Sequence, residues 1–68
     1  MNLEQISKKY NISDSFLNSK EDGLLVVSKS VNDLIVKLKK NEIQSEELIY
    51  SLEKLSQFCK DIKNSTFH

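Results

Sequence analysis

Two apolar stripes of helical period, joined by a link that can only reverse the chain, constrain this protein more than any other feature. The first runs Leu24, Val27, Val31, Leu34 and Leu38; the second runs Leu48, Leu52, Leu55, Cys59 and Ile62. Each alternates steps of three and four, the spacing that stacks side chains along one side of an α-helix. Between them, residues 39–44 (Lys-Lys-Asn-Glu-Ile-Gln) leave room for a turn and nothing more. The expected fold is therefore all-α: a short N-terminal helical segment followed by an antiparallel helical hairpin. Its parts are a helical cap over 1–23, a hairpin over 24–64 with helices at about 24–40 and 45–63, and a frayed tail at 65–68. All of this is expected to form one domain.

Local signals set the element ends. There is no proline, and Gly23 is the only glycine, so Glu21-Asp22-Gly23 reads as an interruption before the long helix. Residues 3–10 predict a short helix with Leu3, Ile6 and Tyr10 on one side. Residues 14–20 predict a second short helical stretch, with Ser13 as its N-cap. Asn41 suits the left-handed residue that ends a helix, and Lys37, Lys39 and Lys40 lie near the negative end of the helix dipole. Ser45, followed by Glu46 and Glu47, predicts an N-cap with first-turn acids. Ile43 can fold back on the hairpin end as an apolar plug.

The first long helix is more apolar than a hairpin needs. Besides its stripe it carries Leu25, Val26, Ile35 and Val36, a wider arc than one partner helix covers. Leu3, Ile6, Tyr10, Ile12, Phe16 and Leu17 can supply part of the missing cover. A second copy of the hairpin can supply the rest, giving a small helical bundle. Ile35 thus joins the two stripes as a core or interface candidate, with Cys59 expected to be buried and inert. Leu25, Val36 and Tyr50, which turn outward, are candidates for contact with a partner.

Size points the same way. A 68-residue chain buries only about 60% of its unfolded surface and usually needs a staple. One cysteine excludes an intrachain disulfide, and a single histidine, His68, leaves no zinc set. Association with itself or with another protein remains. Ten lysines balance ten acidic residues and arginine is absent, which argues against affinity built on phosphate neutralisation. The longest unbroken apolar run, Leu24 to Val27, falls far short of the roughly 20 residues that span a bilayer. With no secretory signal pattern and one unpaired cysteine, the expected location is cytoplasmic. The richness in Asn, Lys, Ser and Ile suits an AT-rich bacterial, phage or plasmid genome.

Residues 3–17 are similar in spacing to the front of a helix-turn-helix. Ile6 and Tyr10 lie on the first helix, Asn11 stands where the turn often has glycine, Ile12 follows, Ser13 caps, and Leu17 packs back. The resemblance implies a small DNA-binding regulator using residues 3–20. Two departures oppose it: Lys20 stands where an apolar residue packs, and the recognition face would carry Asp14, Glu21 and Asp22. No paired catalytic groups, glycine loop or metal set is present, so no enzyme, cofactor or metal is expected. The function expected is that of a small regulatory or adaptor protein acting by protein–protein binding through helical surfaces: an inhibitor, antagonist or assembly factor.

Overall fold

Three side-chain and backbone devices lay out the chain in the computed structural model, which describes residues 1–65. Asn2 opens the first helix, α1 (Leu3–Lys9), with a reciprocal capping box: its side chain accepts from the Gln5 amide while the Gln5 side chain accepts from its own. Asn11, at φ 58°, ends α1 in the left-handed conformation that asparagine tolerates. The Asn11 amide then donates to Lys8 and the Ile12 amide to Ser7, the paired bonds of a Schellman ending. The same ending recurs after the long helix α2 (Lys20–Lys39): Asn41 sits at φ 56°, and the amides of Asn41 and Glu42 donate to Leu38 and Lys37. The last helix is α3 (Ser45–Lys63).

The fold is all-α, with α2 and α3 packed as an antiparallel hairpin and α1 resting on α3. Four boundaries differ from the sequence reading. α2 begins at Lys20 rather than near 24, because Ser19 caps it by accepting from the Asp22 amide, while Asp22 in turn accepts from the Asn18 amide. Glu21, Asp22 and Gly23 therefore form its first turn and do not interrupt it. The expected helix over 14–20 shrinks to a single 3-10 turn, Asp14–Phe16, since the Ser19 cap takes the chain after it. At the hairpin turn the N-cap is Gln44, without a side-chain bond, and Ser45 is already helical. Ser65, placed in the expected tail, is buried, its hydroxyl donating to the Ile62 carbonyl; the rest of that tail, with His68, lies outside the described residues.

The core gathers at the open end of the hairpin, where Ile6, Leu17, Phe58 and Ile62 are buried together. Leu3, Tyr10, Ile12, Val26 and Val27 pack around them. Towards the turn the only buried apolar residue among those described is Leu34. The hairpin closes on Gly23, at which an added Cβ would stand 3.1 Å from three side-chain carbons of Ile62. No positive φ demands glycine there; the demand is space.

Two substitutions test this packing by urea unfolding. Phe58→Ala is expected to cost about 3–5 kcal/mol, enough to unfold a domain of this size. Gly23→Leu is expected to cost about 1–3 kcal/mol despite leucine's better helix propensity, because Ile62 already fills the space.

Candidate interaction surface

Helix rotation decides which apolar side chains remain in water. The side of α2 turned inward carries Gly23, Val26, Ser30, Leu34 and Lys37; that of α3 carries Ser51, Leu55, Phe58 and Ile62. At about 100° per residue, these lines are rotated roughly 40–80° from the apolar stripes, in both helices towards the side where the N-terminal segment lies. The stripes therefore split three ways. Leu34 and Ile62 are buried, Val27, Val31, Leu48 and Leu55 are half-buried, and Leu24, Leu38, Leu52 and Cys59 are exposed. The expected burial of Cys59 is thus corrected: Phe58 takes the inward place beside it because its ring meets Tyr10 edge-on, centroids 5.1 Å apart.

On the flank away from α1, Leu24, Ile35 and Leu38 of α2 and Leu52 and Cys59 of α3 are in water. Leu24 is 68% exposed and Leu52 48%. A shallow apolar groove between the helices, floored by Gly23, Val27 and Ile62, opens on this flank. The partner-contact candidates Leu25, Val36 and Tyr50 are also exposed, on the sides facing away from the hairpin's inner line. The Lys54 ammonium lies 5.5 Å from the centroid of the Tyr50 ring. Periodicity missed Phe58 and Gly23, yet the run Leu48, Ser51, Leu55, Phe58, Ile62 has the same helical spacing, hidden by one serine.

The opposite flank is closed by a polar latch. Asp61 on α3 accepts from the Tyr10 hydroxyl at 2.6 Å, from the Lys9 ammonium at 2.9 Å and from the Gln57 amide at 3.2 Å. The bonds from Tyr10 and then Lys9 hold the Asp61 carboxyl below the ordinary carboxylate range. Burial, and then the adjacent carboxylate, push the Tyr10 phenol up, and the bond to Asp61 raises Lys9. These groups fasten α1 to α3. The resembled recognition helix has no counterpart, since the 3-10 turn occupies only three of its residues.

Among the described residues, no three His, Cys, Asp or Glu side chains converge as metal ligands. No helix among them is long and apolar enough to cross a membrane. No family model, curated protein or solved structure matches the chain.

The latch gives docking of α1 a defined pH dependence. Asp61 is depressed, so its contribution is present above the ordinary carboxylate range and is lost as pH falls through it, around pH 4 and below. Tyr10 and Lys9 are raised, so their contribution is lost only as pH climbs past about 10. Protection of the Ile6 and Ser7 amides, as exchange rate relative to that of an unstructured amide at the same pH, is expected to fall in acid, and Asp61→Asn is expected to flatten that acid step.

Proposed function

We propose that this protein is a small non-enzymatic regulator or adaptor, working in the cytoplasm by binding other protein through the outer surfaces of its helical hairpin. The observation that carries this reading is the distribution of apolar side chains. Among the described residues, buried apolar core is confined to Ile6, Leu17, Leu34, Phe58 and Ile62, while Leu24, Leu25, Val36, Leu38, Ile49, Tyr50 and Leu52 stand in water. Exposed apolar residues grouped along two helices mark an association surface, whereas isolated ones would need no explanation. An outward tyrosine flanked by lysine supplies the amphipathic contact that protein interfaces favour. In mechanism, the rigid hairpin presents preformed helix faces, and the partner supplies the missing layer. Inhibitor, antagonist and assembly factor are all modes of such binding.

Affinity capture from a host extract, followed by mass spectrometry, tests the reading. The expected outcome is a protein retained by the native chain and lost with Leu25→Glu/Tyr50→Glu. Duplex DNA retained at low salt and released as salt rises, with no protein captured, would replace this reading with a DNA-binding regulator.

A further inference from the structure

We infer that the open flank of the hairpin, the side away from α1, is the contact surface for a second copy of this chain, the two hairpins stacking as a four-helix bundle. The inference rests on reading the hairpin as a protein-binding module and names one occupant for one of its faces. Stripe direction is the first argument. In a two-helix hairpin each stripe should point straight at the other helix. In a four-helix bundle it points at the central axis, about 45° away from the line to the neighbouring helix. Here both stripes lie roughly 40–80° off the buried line, which the N-terminal segment also helps to cover, and both lean to the same flank. Leu24, Val31 and Leu38 on α2, with Leu52 and Cys59 on α3, thus occupy the positions of a bundle centre whose other half is a second hairpin.

Area is the second argument. A monomer of 7.9 kDa is expected to expose about 4,400 Å², and this chain exposes 5183 Å². The molecule is elongated, 41 × 18 × 17 Å, and its surplus of several hundred Å² over all faces leaves room for one partner of a standard interface, about 800 Å².

Charge selects the occupant. Beside the apolar flank α2 carries exposed Glu21 at its start and Lys39 at its end. On α3, exposed Lys60 and Lys63 border the flank near its end, while Glu46 and Glu53 turn outward, roughly 100–140° round the helix from Leu52 and Cys59. A two-fold axis across the helices lays α2 antiparallel to α2 and α3 antiparallel to α3. Glu21 then meets Lys39 of the second copy. A two-fold axis along the helices instead sets Glu21 near Lys60 and Lys63 of the second copy. Each closed arrangement sets Glu21 against a lysine of the second copy, a pairing that adds specificity at modest energy in a chain of zero net charge.

Sedimentation equilibrium of the full chain over the micromolar range is the test. The expected result is a concentration-dependent doubling of the 7.9 kDa mass. Leu24→Glu/Leu52→Glu should hold the mass at the single-chain value, and Leu25→Glu, on the outer side, should leave the doubling intact. If the first variant also loses helical circular dichroism while Leu25→Glu does not, pairing is again supported, since side chains so exposed could support the fold only through a second copy. A native chain that stays at 7.9 kDa at its highest soluble concentration would overturn the inference. So would a doubled mass that survives Leu24→Glu/Leu52→Glu, or one abolished equally by Leu25→Glu. A monomer that still captures a protein through Leu25 and Tyr50 would end self-pairing while leaving the protein-binding reading intact. A dimer that captures nothing would do the reverse.

Discussion

The approach of Ile62 to the backbone of Gly23 aims the rest of the hairpin. With no Cβ on Gly23, a β-branched side chain of α3 can sit against α2 near the open end. That contact goes with the rotation of both helices: Phe58, one turn before Ile62, points inward to the side of α1, and its neighbour Cys59, about 100° round from it, lines the open flank. Phe58 then needs cover on its far side, which Ile6 and Tyr10 provide from the N-terminal segment. The latch on Asp61 follows one residue before Ile62, where the same rotation brings a carboxylate beneath Tyr10 and Lys9. One small residue thus links the helix crossing, the docking of α1 and the exposure of the opposite flank.

Much of this was legible in the chain, and the rest was not for a specific reason. The hairpin, its turn and the left-handed Asn41 follow from period and from local backbone preference, which neighbouring residues alone determine. The buried Leu17 and the turn at Asn11 followed from the spacing of residues 3–17 for the same reason, although the helix expected after them did not form. Rotation is different. Periodicity says which side chains share a side of a helix, but a third layer decides which side turns inward, and that layer here is made by residues distant in sequence. Reading Gly23 as a break concealed its use as a gap for Ile62 and the Ser19 cap that starts α2 four residues earlier. For Cys59 the apolar spacing was correct and the direction was wrong.

The two ends of the hairpin differ in how they are held. At the open end, four buried side chains and the Asp61 latch join three elements. Towards the turn, the two helices meet over Leu34, the one buried apolar residue there among those described. A helix pair of that kind is marginal by itself, because propensity contributes little without a buried face. Local opening should therefore be easiest at the turn and hardest at Phe58 and Ile62. A second layer over Leu38 and Leu52 would act where the monomer is weakest. Stability and association are then one equilibrium, shifted by the concentration of whatever covers that flank. The chain's neutral balance removes long-range repulsion between copies, and the reversed order of charges on α2 and α3 acts only at contact, within about 10 Å at ordinary salt. In the proposed pairing, attraction at the flank would therefore be apolar, with charge acting only once the surfaces meet.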